Sequence, residues 1–532
     1  MKTSWTKFEK WLPLFFALVF VLLTASNLDT MQNPDELVHR VNRALEGRWA
    51  FDETNFDYPS LPKYVMFGVG KLVYGFGFGE AEFYVVARFI SVLLGAATIY
   101  LVYHLTRRAG GGVWASVLAS IFLLSNHILS INARFAHNDL YMLFFITLSA
   151  YFLLRYVEKM ERGWLYTSFF SVGLTASSKY NGGIFLLVPL VVWVGYEYRS
   201  FWAAKLRTLE TLFISAVLTF GGFALGTPKA LLWMVFYFKR MLPALARHAS
   251  YGANAGGARG VVGQWAQLAD LFGIAVFILV LIVVFYFVYG FFTDKTVLSK
   301  KKPIWIFLLA ILVYDLPIMA SYNYQARFFL PLLPFFAVLF GLFIEEMIAR
   351  VGQGKFARYQ VWVVGVAVAI LLVGFLRVIS VRLLLANDAR IPASEMIDTL
   401  PADLSIEYTF YTPDFDRKRF EREHDYPVFF IKHEGDVVPD EIDKGYPSNR
   451  GEAGLIERDT DYFVVDDFTY GRCENGGVYA TNPVECVFFA ELLAGETSYE
   501  MIAEFTYTLP NFLPQVEIAF VNPEIRVFQK RE

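Results

Sequence analysis

The chain has 532 residues, of which 56% are hydrophobic, 18% aromatic and only 18% charged, and its formal net charge is −3. This composition excludes an ordinary soluble globular protein, and the lack of a basic excess excludes a nucleic-acid-binding protein. Apolar runs near the about 20 residues that cross a hydrocarbon core recur over roughly the first 385 positions, which predicts a polytopic α-helical membrane protein.

The apolar runs predict eleven membrane spans, and Lys and Arg in alternate short connections predict which side is cytoplasmic. With eleven spans the N-terminus is cytoplasmic, and everything after about residue 388 is extracytoplasmic. The protein is therefore expected to be a multi-pass plasma-membrane protein. The predicted spans are 11–29, 83–105, 113–131, 139–157, 164–178, 183–198, 209–226, 266–292, 303–321, 328–349 and 360–383.

Two long external loops are expected, at 30–82 and 227–265. In the first loop, Asn33, Pro34 and Glu36 have the pattern of a helix start, with Asn as N-cap, Pro at the first position and Glu at the third. The residues that follow alternate apolar and polar faces, which predicts an amphipathic helix on the outer membrane surface. The second loop runs from an aromatic and basic stretch into a glycine-rich stretch that is expected to be mobile.

The tail from 388 to 532 is rich in Asp and Glu and has strand-like alternation at 461–471 and 524–530. The sequence therefore predicts a transmembrane domain at 1–387 and a soluble extracytoplasmic domain, mixed α/β or mostly β, at 388–532. Cys473 and Cys486 are the only cysteines. Their short spacing favours a disulfide in an oxidising compartment, and two free thiols are the alternative.

Four polar clusters interrupt the apolar chain, and all four are predicted on the external face. They are Asp35-Glu36, RFAHND at 134–139, SSKYNGG at 177–183 and YNYQARFF at 322–329. Ionisable groups near membrane depth are costly and are retained where they have a partner or a task. Carboxylates here could act as a general base or hold a metal ion, and cations could neutralise a phosphate.

Each cluster also has an explanation without catalysis. Asp35, Glu36 and Asp139 could stand in first helical turns, where the helix dipole favours acids. Lys179 could extend to lipid headgroups, and Arg88 could pair with a buried acid. His137 could be an ordinary surface residue. For Arg327 the functional interpretation is phosphate binding, because a guanidinium can donate two hydrogen bonds to one phosphate. No Walker loop, dinucleotide fingerprint, HExxH or CxxC spacing occurs, so a lipid-linked phosphate fits better than a cytosolic nucleotide.

The motifs together resemble the GT-C membrane glycosyltransferases, in the branch with the protein O-mannosyltransferases and the lipid A aminoarabinose transferases. The resemblance covers roughly residues 1–385. It rests on the order of the first-loop DE pair and the motifs YPSLPKY, ARFISVLLG, SINARFAHNDLYMLFF, GLTASSKYNGG and YQARFFLPLLPFFAVLFG. It implies a GT-C fold and inverting transfer of a sugar, hexose or pentose, from dolichyl or undecaprenyl phosphate to an external protein, lipid or glycan acceptor.

The resemblance also implies roles for individual residues. Asp35 matches the first-loop acid that activates the acceptor hydroxyl, with Glu36 beside it and Asp139 as a second acid. The expected donor-phosphate ligands are Lys179, Arg327, Arg88 and Arg134. Further site candidates are His137, Asn138, Tyr58, Lys63 and Tyr180. Some GT-C enzymes use a divalent metal and others do not; here Asp35 and Glu36 are the expected ligands if one binds.

The sequence departs from the aminoarabinose branch at position 32, which is Gln where that branch has Tyr, and the tail has no match. The sugar, the carrier and the acceptor therefore stay open. A transporter or flippase of a lipid-linked sugar is the main alternative function, although such proteins commonly show internal repeats that this chain lacks. A membrane-anchored receptor, whose tail binds the ligand, is a third interpretation.

Overall fold

The computed structural model describes residues 9–29, 33, 35–47, 58–198, 204–250, 261–293, 303–319, 325–352, 359–425, 450–474, 479 and 482–531. Within them the chain forms two compact units. The first comprises residues 1–29, 35–251 and 257–379, and the second comprises 30–34, 252–256 and 380–532. The glycine-rich stretch at 251–260 lies outside the described residues, as do Pro34 and residues 322–324.

The first unit is helical. Its first nine α-helices are α1 (Leu12–Thr24), α2 (Val38–Leu45), α3 (Leu61–Gly75), α4 (Glu80–Arg108), α5 (Val113–Leu124), α6 (His127–Ala133), α7 (Asp139–Lys159), α8 (Arg162–Ser178) and α9 (Leu187–Tyr196). The others are α10 (Lys205–Gly226), α11 (Lys229–Leu232), α12 (Met234–Ser250), α13 (Val261–Phe272), α14 (Ile274–Thr293), α15 (Ile304–Met319), α16 (Leu333–Val351) and α17 (Gln360–Ala386). Two 3₁₀ segments, Tyr180–Leu186 and Ala326–Leu332, lead into α9 and α16.

Six helices or continuous helical segments in the described chain are long and apolar enough to cross a membrane, and seven if α5 and α6 form one bent span. The expected number of eleven is therefore not confirmed. The predicted span 113–131 is bent by 62° between α5 and α6, because Asn126 caps α6 by accepting a hydrogen bond from Leu129 N. The predicted span 266–292 is divided at Gly273, whose φ of 75° ends the preceding helix.

The first-loop helix begins later than its sequence pattern predicts. Leu37 is at the N-cap of α2, and the helix runs from Val38, so Asn33 does not cap it. The reason is that Glu36 engages an arginine of α4 and is not at the third helical position. The apolar face of α2 is confirmed, but it packs into a protein core with α3 and α4 through Leu37, Val41 and Met66. This core fixes the position of the residues that precede α2.

Helices α8 and α10 approach each other at two glycines. A Cβ on Gly173 would overlap Thr219 O and come within 2.8 Å of Phe223 N, and one on Gly222 would overlap Phe170 O. Because these neighbours are backbone atoms, only glycine allows the helices this separation. The ends of the two helices are then joined by a hydrogen bond of 2.7 Å between Ser177 Oγ and Thr227 Oγ1.

The second unit contains a five-stranded sheet in the order β2-β1-β3-β5-β4. The strands are β1 (Ser405–Tyr408), β2 (Arg422–Asp425), β3 (Tyr462–Asp466), β4 (Tyr499–Phe505) and β5 (Ile525–Lys530). Strand β1 is parallel to β2 and β3, whereas β5 is antiparallel to β3 and β4. The described helices of this unit include α18 (Arg390–Ile397), α19 (Gly451–Glu457), α20 (Asp467–Tyr470) and α21 (Pro483–Ala494).

The sheet has an apolar core on each face, as the alternating sequence of β3 requires. Tyr462 and Val464 belong to one core with Ile406 and Ile397, while Phe463 and Val465 belong to the other with α19 and α21. Cys473 and Cys486 form a disulfide with a Cα–Cα distance of 5.4 Å, so the predicted pairing is confirmed. The unit is mixed α/β in its described part, one of the two folds expected.

Candidate functional site

Two ion pairs in the first unit join residues from all four predicted polar clusters. Arg327, at the start of a 3₁₀ segment, donates from Nη2 to Asp35 Oδ2 at 2.9 Å. Lys179, which follows α8, donates from Nζ to Asp139 Oδ1 at 2.7 Å. The two carboxylates differ in exposure, because the Asp35 side chain is 43% exposed and that of Asp139 is fully buried. An external molecule can therefore reach Asp35 far more easily than Asp139.

The two cations lie against the same aromatic ring. Lys179 Nζ is 4.9 Å from the centroid of the Phe328 ring, and the Arg327 guanidinium carbon is 6.0 Å from it. The Arg327 cation also interacts electrostatically with Asp139. A ring face attracts cations, so Phe328 helps two like charges to share one small region. Such a pair of neighbouring cations can bind one phosphate group.

His137 and Tyr58 complete the cluster. His137 Nδ1 lies 2.8 Å from Asp139 Oδ2, and the Tyr58 ring packs edge-on against the His137 ring at 5.8 Å between centroids. Burial lowers the pKa of His137 more than Asp139 raises it, so the imidazole is neutral at pH 7. A neutral ring with its proton on Nδ1 donates to Asp139. Burial also raises the pKa of Tyr58, which keeps its phenol protonated.

Glu36, predicted to work beside Asp35, has a different surrounding. Its two carboxylate oxygens accept hydrogen bonds from Arg88 Nε at 2.9 Å and Nη2 at 2.7 Å, and Ala136 N donates to it at 2.7 Å. Burial raises the pKa of Glu36, but Arg88 and these hydrogen bonds lower it to below the ordinary value. Glu36 is thus ionised and buried, and it joins the first loop to α4 and to the segment before α7.

Neither Arg88 nor Arg134 is brought to Asp35. Arg88 also donates to Leu28 O at 2.7 Å, and its side chain is 1% exposed. Arg134 is fully buried and donates to the backbone oxygens of Ser130 and Leu23, at 2.9 and 2.7 Å. The expected phosphate-binding role of these two arginines does not match this geometry, because their donors are directed at protein oxygens. Their positions suit residues that hold the loops around the site.

The remaining candidates lie near the cluster in different ways. Lys63 is buried and donates to the backbone oxygen of Tyr58 at 3.2 Å, so it supports that residue from α3. Tyr180 follows Lys179, and its hydroxyl is 2.5 Å from that of Tyr237 on α12. Asn138 is fully buried between His137 and Asp139. Phe328 and Tyr237 were not identified as site residues from the sequence. Each lies in a run of aromatic residues, so nothing in the sequence distinguishes it from its neighbours.

The residues do not fit the metal site considered from the sequence. Both oxygens of Glu36 face Arg88, so Glu36 cannot join Asp35 as a second metal ligand without losing a buried ion pair. Across the described ranges, no three His, Cys, Asp or Glu side chains are grouped closely enough to hold a metal ion. The cations Lys179 and Arg327 are the positive charges that this site provides.

Comparison with known proteins identifies the class. An archaeal oligosaccharyltransferase, AglB from Archaeoglobus fulgidus, solved in complex with an inhibitory peptide and a dolichol-phosphate, shares the fold with a TM-score of 0.51 at 12% identity, over 95% of this chain and 75% of that one. ArnT from Cupriavidus metallidurans, solved bound to undecaprenyl phosphate, aligns over 97% and 98% of the two chains at 16% identity and a TM-score of 0.49. The chain has the fold of the GT-C membrane glycosyltransferases.

Within that class, residues 75–242 match the family of dolichyl-phosphate-mannose-protein mannosyltransferases. A polyprenol-phosphate-mannose protein mannosyltransferase of Corynebacterium glutamicum is 25% identical over an alignment that covers 18% of this chain. The chain spans 23% of the length of that relative in the alignment. The matched family segment contains Arg88, Arg134, His137, Asn138, Asp139, Lys179, Tyr180 and Tyr237. The resemblance to GT-C enzymes inferred from the motifs is confirmed.

Proposed function

We propose that the chain is an integral-membrane glycosyltransferase that moves a sugar from a polyprenyl-phosphate carrier to an acceptor on the extracytoplasmic face. The observation that carries this proposal is the convergence of Lys179 and Arg327 on Phe328, each beside a carboxylate. Two cations suit a phosphate, and an exposed carboxylate beside one of them suits the removal of a proton from a hydroxyl. The family match supports the same chemistry.

In the proposed reaction, the acceptor oxygen attacks the anomeric carbon of the donor sugar and inverts its configuration. The bond from that carbon to the phosphate oxygen breaks, and the polyprenyl phosphate leaves with the bonding electrons. The acceptor hydroxyl proton passes to Asp35. Negative charge grows on the phosphate as the bond breaks, so Lys179 and Arg327 stabilise the transition state more than the bound donor.

The ion pair of Asp35 with Arg327 implies an order of events in this mechanism, in which the donor binds before the acceptor hydroxyl is deprotonated. In this ion pair Asp35 Oδ2 accepts a hydrogen bond from Arg327 Nη2, so that oxygen is already occupied when a hydroxyl approaches. The donor phosphate competes with Asp35 for Arg327 and releases the carboxylate when it binds. Asp139 stays buried on Lys179 and His137, and its role is to orient them. The acceptor hydroxyl is therefore deprotonated only after the donor has bound.

The direct test is sugar transfer from radiolabelled polyprenyl-phosphate mannose, glucose and arabinose by the full-length protein in nanodiscs. Wild type should release sugar from at least one donor, and Asp35→Asn should reduce turnover at least about 1,000-fold because the proton acceptor is lost. Asp29→Asn is a matched control, since Asp29 is an exposed carboxylate that also lies between α1 and α2 and should leave turnover unchanged.

Two results would contradict the proposal. Full activity of Asp35→Asn would remove Asp35 from the chemistry while leaving the transferase intact. If folded wild type turned over none of the donors but carried them across a bilayer, the transporter interpretation would replace the transferase. The location of the site and of the second unit on the extracytoplasmic face is checked separately, by labelling cysteines introduced at Asp29 and at Glu500 from either side of sealed vesicles.

A further inference from the structure

The side chain of Asn138 is buried, and within the described ranges it makes no hydrogen bond that would account for an amide at this position. It occupies the N-cap of α7, where asparagine normally accepts a hydrogen bond from the helix backbone. Here its φ of −80° and ψ of −14° are helical, and the side chain forms no cap. Among the residues that the structure describes, neither Oδ1 nor Nδ2 has a hydrogen-bond partner. A helix-capping role is therefore excluded.

Tyr141 and Arg327, both in the first unit, each have a polar atom with the same property. The hydroxyl of Tyr141, three residues further along α7, is buried and has no hydrogen-bond partner in the described part of the chain, and the same is true of Arg327 Nε. Residues three apart on a helix lie on the same side of it. Asn138 is also between two members of the ion-pair cluster, His137 and Asp139. Asn138, which is adjacent in sequence to two members of the cluster, therefore has unused capacity of both kinds, donor and acceptor.

Buried polar groups without partners are rare in native proteins, because each loses its hydrogen bonds to water and gains none. An amide offers a donor and an acceptor on adjacent atoms. A hydroxyl group offers both as well, so two neighbouring hydroxyls of a sugar can satisfy both atoms of the amide. A phosphate offers acceptors only and would leave Oδ1 without a donor. The ligand that matches Asn138 is thus a polyol and not the phosphate.

We propose that Asn138 hydrogen-bonds the hydroxyls of the donor sugar and so contributes to the choice of sugar, while Lys179 and Arg327 hold the phosphate. This inference rests on the proposed function, since it assigns the sugar half of the same donor. It divides the site into two parts that can be tested separately. One part recognises the carrier phosphate, and the other recognises the sugar.

The experiment compares the binding of two kinds of ligand by the full-length protein in nanodiscs. They are the mannose, glucose and arabinose donors described above and the same polyprenyl phosphate without a sugar. Wild type should bind at least one donor more tightly than the sugar-free phosphate. Asn138→Ala should reduce that advantage by about 5- to 30-fold, as expected for one or two neutral hydrogen bonds, and should leave the affinity for the sugar-free phosphate unchanged.

Thermal unfolding without ligand separates this role from a structural one. Asn138→Ala removes an unsatisfied amide, so its midpoint should equal or exceed that of wild type. Asn132→Ala is the matched control, because Asn132 is a buried asparagine whose Nδ2 donates to Ile128 O at 2.8 Å. That variant should unfold at a lower temperature and should keep the full advantage for the sugar-bearing donor.

The proposal is overturned if Asn138→Ala retains the sugar-dependent affinity, if it loses affinity for both ligands equally, or if wild type binds no donor more tightly than the phosphate alone. A different result would contradict the proposed transferase function. Sugar-dependent binding without any transfer would contradict the transferase and leave Asn138 as a sugar ligand. Transfer with no contribution from Asn138 would contradict only this inference.

Discussion

The two aspartates of the site have the same chemistry but different surroundings, and this difference assigns their proposed roles. Asp35 is partly exposed and forms an ion pair with Arg327, in which a phosphate can replace the carboxylate. Asp139 is buried and accepts from both Lys179 and His137. Separating a buried carboxylate from its cation costs several kcal/mol, so Asp139 is expected to keep its partners throughout the reaction. In the proposed mechanism, the proton of the acceptor hydroxyl is therefore assigned to Asp35.

The neighbouring acid, Glu36, gives a contrasting prediction. Replacing Glu36 with Gln leaves Arg88 buried without a compensating charge, which should lower the free energy of unfolding by about 3–5 kcal/mol. Any folded fraction should retain a donor Michaelis constant near that of wild type, because Glu36 does not touch the proposed phosphate site. The measurement combines thermal unfolding with the kinetics of purified, monodisperse protein.

Arg88→Met in the Glu36→Gln background provides the control for this prediction. It removes the orphaned cation with a side chain of similar length, so part of the lost stability should return. A stable Glu36→Gln protein with greatly reduced turnover would contradict the structural role and would place Glu36 in the chemistry beside Asp35.

Four charged residues that stand out in the sequence are brought together in the structure, but the partners of other charged residues could not be predicted. The positions Asp35, Asp139, Lys179 and Arg327 stood out because charges in apolar surroundings are costly. The partner of Arg88 could not be predicted, because Arg88 and Glu36 are 52 positions apart and only the packing of α2 on α4 brings them together. The same limit applies to Phe328, since one phenylalanine among many carries no local signal.

At the scale of helices, hydropathy predicted where apolar segments lie but not where they bend. A window that averages hydropathy does not register a single N-cap such as Asn126 or a single left-handed residue such as Gly273. Two other interruptions of the α-helical structure hold residues of the proposed mechanism. Lys179 directly precedes one 3₁₀ segment and Arg327 is the second residue of another, so neither side chain projects from the surface of a continuous α-helix.

The contact between α8 and α10 gives a prediction remote from the chemistry. Gly173→Ala would place a methyl group against the backbone of Thr219 and Phe223, so the helices must separate, at a cost of about 1–3 kcal/mol. Because Lys179 immediately follows α8, this separation should displace its ammonium group and raise the donor Michaelis constant. The checks are thermal unfolding and donor kinetics.

Gly221→Ala is the control for that prediction, since Gly221 lies on α10 and a Cβ there meets nothing within 4 Å. Alanine favours a helix over glycine, so this variant should be as stable as wild type or slightly more stable. Equal behaviour of the two alanine variants would show that the close approach of the helices is not required.

For the molecule as a whole, the second unit contributes a pH dependence of its own. Burial raises the pKa of Asp467 to about 6, and the nearby charges of Asp466 and Glu524 act in the same direction. The folded state therefore holds this proton more tightly than the unfolded state, and stability decreases as the pH rises from about 4 to about 6. Above about pH 6, the folded state carries the full loss of stability that ionisation of the buried Asp467 causes.

Asp467→Asn should remove this penalty. The amide oxygen of the introduced asparagine can still accept the hydrogen bond that Glu524 N donates to Asp467 at 3.0 Å. The unit should therefore gain on the order of 1 kcal/mol at pH 7.5 and nothing at pH 4, after allowance for partial exposure. Thermal unfolding of full-length protein at both pH values measures this. A gain of equal size at pH 4 would show that ionisation of Asp467 is not the cause.

The balance of charges in the site has a consequence for how the donor arrives. Lys179 and Arg327 are paired with Asp139 and Asp35, and His137 is neutral, so these five groups together offer little net field to an anion in solution. Long-range steering, which is strongly weakened by salt, can then contribute little to the association rate. Raising the ionic strength from about 0.05 to about 0.5 M should change that rate less than about threefold. For the proposed lipid-linked donor, the encounter rate would then be set by lateral diffusion in the bilayer, and selection of the donor would begin only at contact with the site.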